Sequence, residues 1–554
     1  MADLVIHGNL VNVYSGEVYE AYVGLQGPRV EYVHRNGKGD GKYLDVYPRY
    51  ILPGLIDAHI HIESSMLTPT RFAEAAVPRG TTCVICDPHE IANVLGIDGV
   101  RYMIKTSSKT PLRFYYMIPS CVPASKLETT GGIIGIRETT ELKNEPGVLG
   151  LGEVMNFPGV VGGDKELMSK IALFRDMVVD GHSPGLRGEE LCKYVSAGIS
   201  SDHECTDKDE ALEKLSLGMH IMIREGTASK DMHRLIGAVN EANSRRFMMV
   251  SDDLGPDDLV KNGHVDRLLR RAVEEGLDPV NAVRLVTSNP AEYFGLKLLG
   301  GVAPGKLGDL VVVEDLESFR VSMVLINGRL VAKDGKALFP KKTASRIGSP
   351  MNFTLSPGSL AIGSPSPEAK VRVIEVYDGS LYTSEKVIKM RPKNGFIASS
   401  PDRDILKVCV VERYRSTGNV GVGFVRGFGL KRGALASSIA HDSHNIVAVG
   451  VRDKDIHRAV NAIKKLGGGI AAVGDSISAL SLPVAGLMTD DLPERVAENL
   501  VEVNRVAEDL GCPLSSPFST LSFIALAVIP ELKLTDMGLV DVRQSKLVNL
   551  IVQK

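Results

Sequence analysis

Residues 51–65 read ILPGLIDAHIHIESS. Apolar residues lead into a Pro53-Gly54 turn, resume as Leu55-Ile56-Asp57-Ala58, and then present His59 and His61 two positions apart. On a β-strand, residues i and i+2 point to the same side, so both imidazoles converge on one point. Two neutral imidazoles aimed at one point begin a divalent metal site. A bare His-x-His is weak on its own, because two histidines can simply share a strand face. Its company strengthens it: Glu153, His182, His203 and Asp252 each close a β-like run further along.

Those runs set the fold class. GLIDAHIHI, TTCVICDPH, RFYYMIPSC, VLGLGEVM, MVVDGHSP, AGISSDHE, GMHIMIREG and RFMMVSDD alternate with helix-like stretches such as TPTRFAEAAVPRG, DKDEALEKLSLG and DMHRLIGAVNEANS. The latter carry apolar residues at three- and four-residue spacing. Strand–helix units in series, eight of them, predict a (β/α)8 TIM-like barrel over 51–299, whose chemistry belongs at the C-terminal strand ends. Here those ends carry His59, His61, His89, Glu153, His182, His203 and Asp252. Stability alone does not call for acids and histidines at so many strand ends.

Working outward, residues 1–50 read as short strands separated by turn pairs such as Ser15-Gly16 and Gly27-Pro28. Segment 307–333 has the same character, so residues 1–50 and 300–345 are expected to form one small β-sandwich domain from both flanks of the barrel. A Ser-, Pro- and Gly-rich linker spans 340–368. Residues 370–554 read as a separate C-terminal α/β domain, with strands such as KVCVVERY and helices such as DKDIHRAVNAIKKLGG.

Composition bounds the function. A chain of 554 residues is too long for one core, and 44% hydrophobic with 24% charged residues is an ordinary globular balance. A formal net charge of −3 without a long basic block argues against nucleic acid as a partner. No apolar run is long enough to span a bilayer, and FIALAVIP (523–530) reads as a core segment. The first residues alternate like a strand and lack the order of a signal peptide. Seven scattered cysteines suggest a reducing, cytoplasmic setting. Cys83 and Cys86 form a C-x-x-C, but no second pair follows, so they are read as small hydrophobes in a buried strand.

Six groups, four histidines and two carboxylates, are too many for one tetrahedral ion but suit two metals sharing a carboxylate. Two such ions lower the pKa of a bridging water and give hydroxide near neutral pH. Asp252 would hold a metal and accept the nucleophile's proton. Imidazole plus carboxylate without thiolate suits manganese, iron or zinc.

PGLIDAHIHIE resembles the metal-binding opening of the amidohydrolase superfamily, and GKLGDLVVV with VLINGRLV resembles its closing β-domain. Most two-metal members bridge their ions with a carboxylated lysine on the fourth strand. VLGLGEVMN has no lysine and offers Glu153 instead. That departure, with HIESSMLTP, CDPHEIANV, SDHE, SDD, IAHDSHNIVAVG and PFSTLSFIALAVIPELKLTD, is similar to the microbial adenine deaminase family over nearly the whole chain.

The resemblance implies hydrolysis of adenine to hypoxanthine and ammonia, a purine-salvage reaction. It places His59, His61 and Asp252 on one metal, His182 and His203 on the other, and Glu153 between them. It favours manganese or iron. Asp253 is the alternative ligand to Asp252. Glu204 is the first candidate to protonate N1 of the purine and Glu90 the second, each also readable as a partner that orients a ligand histidine. Ser64, Ser65 and His89, with Glu90, are expected around the base. His441 and His444 are left off the metal set. A small-molecule substrate and a homodimer complete the expectations. Two rivals remain: another amidohydrolase reaction such as opening a cyclic amide, and a non-enzymatic scaffold. The H-x-E … P-C-x-x-C signature of small zinc nucleobase deaminases is absent.

Overall fold

The computed structural model describes residues 2–552 apart from 38, 228, 346 and 365. Positions 346 and 365 of the expected linker, the last two residues of the expected C-terminal domain, and single positions of the N-terminal and barrel segments thus lie outside the described residues. The chain divides into two compact units: residues 1–88, 101–121 and 135–344 form the first, and 89–100, 122–134 and 345–554 the second.

In the first unit, β1 (Leu4–Asn12), β2 (Glu17–Gln26), β3 (Arg29–His34) and β4 (Lys42–Pro53) precede the barrel strands. These are β5 (Leu55–Ile60), β6 (Thr81–Cys86), β7 (Arg113–Ile118), β8 (Val148–Val154), β9 (Val178–Gly181), β10 (Ser201–Asp202), β11 (His220–Arg224) and β12 (Phe247–Val250). Then follow β13 (Leu310–Val313), β14 (Val321–Ile326), β15 (Arg329–Lys333) and β16 (Lys336–Ala337).

Strands β5 to β9 form one parallel sheet and β10 to β12 another, both in chain order. Backbone bonds join the two sheets at both edges. Ser200 N donates to Val179 O (3.0 Å), and Asp252 N donates to His59 O (3.0 Å) while His61 N donates to Asp252 O (3.3 Å). The result is the eight-stranded TIM-like ring expected from the alternating runs. β5 and β6 are buried at every position, as strands covered on both faces must be. Cys83 and Cys86 are among these buried residues, and burial pushes both thiols well up.

One expected helix is largely missing. DMHRLIGAVNEANS forms only a single turn over Met232–Leu235 and two short 3-10 turns. Val239 takes extended backbone, and the Asn240 and Asn243 side chains bond nearby backbone groups, competing with the helix.

The flanks meet in one eight-stranded sheet of order β16-β15-β14-β13-β4-β1-β2-β3. The junction is β4 against β13, with Leu310 opposite Pro53 and Val312 opposite Ile51. Ile6, Leu10, Val23, Ile51, Leu310 and Leu325 form its core. This sheet ties the chain before β5 to the chain after the barrel and so fixes where the 51–65 stretch begins.

The second unit is built on another eight-stranded sheet drawn from residues 369–481. Helix Asp453–Leu466 lays Ile456, Ala459, Val460 and Ile463 on it, against Ala434, Ala436, Ile446 and Ala448. Most of FIALAVIP is buried, with Ile524 at 0% and Val528 at 36% exposure marking the extremes. Among the described residues no helix is long and apolar enough to cross a membrane.

Candidate metal centre

The end of β5 is anchored before it presents its histidines. Asp57 accepts from Ser251 N (3.2 Å) and Ser251 Oγ (2.5 Å), and lies 2.9 Å from His264 Nε2, so β5 is pinned to the end of β12. His59 Nδ1 then sits 2.9 Å from Asp180 Oδ2, and His61 Nδ1 sits 2.9 Å from the carbonyl of Asp87. Carboxylates and carbonyls only accept, so both Nδ1 atoms carry protons. That leaves the two Nε2 atoms facing one another at 3.2 Å.

The other four expected residues converge there. Asp252 Oδ1 lies 3.1 Å from His61 Nε2 and 3.6 Å from His59 Nε2. Glu153 Oε1 lies 3.3 Å from His61 Nε2, while its Oε2 lies 2.5 Å from His182 Nδ1 and 3.2 Å from His203 Nε2. His203 stacks on His59 with ring centroids 4.0 Å apart. Glu153 thus turns one oxygen toward His61 and the other toward His182 and His203. All six are buried except His182, whose side chain is 20% exposed.

Electrostatics test whether this set fits divalent metal. Burial alone would lower the pKa of His59, yet hydrogen bonds to Asp180 and Asp252 hold it well above the usual value. His182 is raised to about 9, against its burial, by Glu204 and Glu153. Burial pushes Glu153 and Asp252 up, but the histidines around each hold them well below the usual carboxylate range, with Arg224 adding to the effect on Asp252. Without metal, His59 and His182 are held protonated beside Glu153 and Asp252. Cations replacing those protons would satisfy the same field. His203 Nδ1 is buried without a hydrogen-bond partner among the described residues. The residues therefore fit divalent metal; His59, His61, Glu153, His182, His203 and Asp252 fall into overlapping metal-holding groups.

The neighbouring carboxylates divide. Ser64 Oγ donates to Asp253 Oδ1. Asp252 takes left-handed backbone (φ 55°), which turns it toward His59 and His61. Asp253 still shares a possible ligand group with His61 and Asp252. Glu204 is paired with Arg224 and lies 3.8 Å from His203 Nε2 and 3.9 Å from His182 Nδ1. Burial would raise its pKa, but Arg224 and the two histidines lower it. Ser65 Oγ donates to the carbonyl of Ile62, closing the helical turn after β5.

His89 and Glu90 open the helix His89–Leu95 and belong to the second unit. There Glu90 Oε1 lies 2.5 Å from His441 Nδ1, its Oε2 meets His444 Nε2, and His89 Nε2 is 3.4 Å from Oε1. Sequence reasoning set His441 and His444 aside and did not join them to Glu90. It also missed Asp180 and Arg224. Asp180 had a signal, a carboxylate two residues before His182 in VVDGH; Arg224 had only its place at a strand end.

Residues 50–331 match the Amidohydrolase family model, and residues 380–546 match the Adenine deaminase C-terminal domain. An adenine deaminase of Methanothermobacter thermautotrophicus is 47% identical over 554 residues, covering 99% of this chain and all of its own. The chain belongs to the adenine deaminase family. Another member, from Desulfatibacillum aliphaticivorans, is 46% identical over 99% of this chain and 97% of its own length. The Archaeoglobus fulgidus adenine deaminase is 50% identical over 90% and 86%. The chain is therefore an amidohydrolase of the adenine deaminase family.

Proposed function

We propose that this chain deaminates adenine hydrolytically, giving hypoxanthine and ammonia, with two divalent metals at the strand ends. One observation carries the reading: Glu153 reaches His61 with one oxygen and both His182 and His203 with the other, in a chain 46–50% identical to adenine deaminases. In this reading His59, His61 and Asp252 hold one metal, His182 and His203 the other, and Glu153 both. Manganese is the first choice, with iron and zinc as alternatives. When bound, the pair supplies hydroxide at neutral pH.

The protein's own groups do the rest. Asp252 accepts the nucleophile's proton. Glu204, ionised beside Arg224, must gain a proton before it can deliver one to N1, so it acts as a relay. Ser64 and His89 keep their base-lining role, as does Glu90 through the histidines it holds. A small β domain (1–50, 300–345), a barrel domain (51–299) and a C-terminal domain (370–554) remain our division of the chain. A homodimer in the cytoplasm is the proposed working form, to be checked by light scattering and cell fractionation.

The test is a product assay on protein purified with manganese. Adenine should yield stoichiometric ammonia and hypoxanthine. Ring opening of a cyclic amide with no ammonia released from adenine would replace this reading with the other hydrolase.

A further inference from the structure

Arg224 ends β11 opposite Val250, the last residue of β12, and Asp252 lies two residues beyond that strand end. It is buried at 4% exposure and touches three carboxylates. Its Nη1 donates to Glu204 Oε1 and to Asp252 Oδ2, the latter at 3.2 Å. Its Nε and Nη2 donate to Asp231 Oδ2 at 3.3 and 3.2 Å. One nitrogen is therefore shared by the two acids that the proposed chemistry assigns to proton movement. The opposite edge of the guanidinium is held by a third acid that lies outside the ligand set.

The local chain is built for this. After Arg224 it doubles back: Glu225 bridges to Lys230, Gly226 N donates to Ser229 O (2.8 Å), and Asp231 N donates to Arg224 O (3.0 Å). The short return places the Asp231 carboxylate beside the guanidinium of the residue that begins the loop. Asp252 uses Oδ1 toward the histidines and Oδ2 toward Arg224, so the arginine decides which oxygen faces the centre. A planar fork can hold three carboxylates in fixed directions; an ammonium is a point charge that cannot.

We propose that Arg224 is a positioning residue for the deamination, setting the separation and orientation of Asp252 and Glu204, and that Asp231 holds it in place. This rests on the adenine deaminase reading. It is distinct from that reading because Arg224 could be idle in a working enzyme.

The experiment begins with the unaltered enzyme and adenine, where absence of ammonia release sinks the deaminase reading before Arg224 is tested. Arg224→Ala, Arg224→Lys and Asp231→Asn are then compared for metal content, kcat, KM and response to added guanidinium ion. Both Arg224 variants should keep their metal and a KM within about threefold while kcat falls about 10²-fold, the cost of misplacing a reacting group by about an ångström. Guanidinium should restore at least about tenfold of the Arg224→Ala loss, as expected when the missing piece is the planar fork, and methylammonium should not. Asp231→Asn, which leaves Arg224 present but loosely held, should lose about tenfold in kcat by the same argument. Unchanged kcat in the Arg224 variants, or activity lost only in proportion to metal, overturns the proposal. If Arg224→Ala does not fold, Asp231→Asn decides: kcat within twofold of the unaltered enzyme overturns it.

Discussion

Among the described residues, two clusters that gather several histidines around carboxylates look alike by composition. One, in the first unit, gathers His59, His61, His182 and His203 around Glu153 and Asp252. The other, in the second unit, gathers His441, His444 and His89 around Glu90. Ring nitrogens separate them. In the first, Asp180 and the Asp87 carbonyl take the Nδ1 protons, so the two Nε2 atoms are left facing each other, where a cation can replace a proton. In the second, Ala440 N donates to His444 Nδ1, so the His444 proton is on Nε2 and goes to Glu90. There the carboxylate accepts from the rings directly, although Glu90, His441 and His444 also lie close enough together to be a possible ligand group. Tautomer, set by the partner behind each ring, decides whether such a cluster is a ligand set or a hydrogen-bond network.

Metal removal breaks this comparison most sharply. Thorough chelation should abolish turnover and manganese should restore it, while leaving the second group intact. Full activity in metal-free protein would remove the distinction altogether. Glu153→Gln comes next: it keeps the shape but removes the charge between two cations, so bound metal and activity should fall together. Two retained metals with near-normal turnover would show that Glu153 is not the bridge.

Glu204→Gln is expected to keep metal and adenine affinity while losing about 10²- to 10⁴-fold in turnover, the usual worth of a positioned acid or base. Metal loss in that variant would move Glu204 into the ligand set. Glu90→Gln sharpens the comparison from the other side. Metal content should not change, but the second unit should lose about 1–3 kcal/mol, because the amide NH2 would set a donor against one imidazole N–H where a carboxylate oxygen now accepts. Fewer metals bound would make the second group a ligand set too.

The smallest effect is in pH. His444 is pushed down to about 4 by burial, against the pull of Glu90, so the folded protein holds it neutral while an unfolded chain would protonate it near 6.5. The unfolded state binds more protons between those values, so this contribution to stability falls as pH drops from about 6.5 toward 4. Glu90 is held well below its ordinary value by the surrounding histidines, despite burial. Its contribution is full above about 4.3 and is lost as pH falls through its folded pKa, the same sign. Denaturant unfolding followed from pH 7 to 5 should show declining stability that flattens in His444→Gln. A loss of equal size in that variant would assign the effect elsewhere.

Much of the centre was legible in the chain, because strand geometry is local. A period of two brings His59 and His61 to one side, and strands of a parallel barrel end on one face, so Glu153, His182, His203 and Asp252 could be named from position alone. Set against the amidohydrolase resemblance, the absence of lysine in VLGLGEVMN likewise pointed to Glu153 without any coordinates. The helix expected at 231–244 failed because apolar spacing says nothing about asparagine side chains that bond the backbone instead.

What only the tertiary structure decided are the partners behind the ligands. Asp180 reaches His59 across 121 positions, Arg224 joins Glu204 and Asp252 from a separate strand, and His444 meets Glu90 across 354. Strand and helix periods fix directions over a few residues. Which ring nitrogen keeps its proton depends on a group brought near by the whole fold, and that choice is what separates the two clusters.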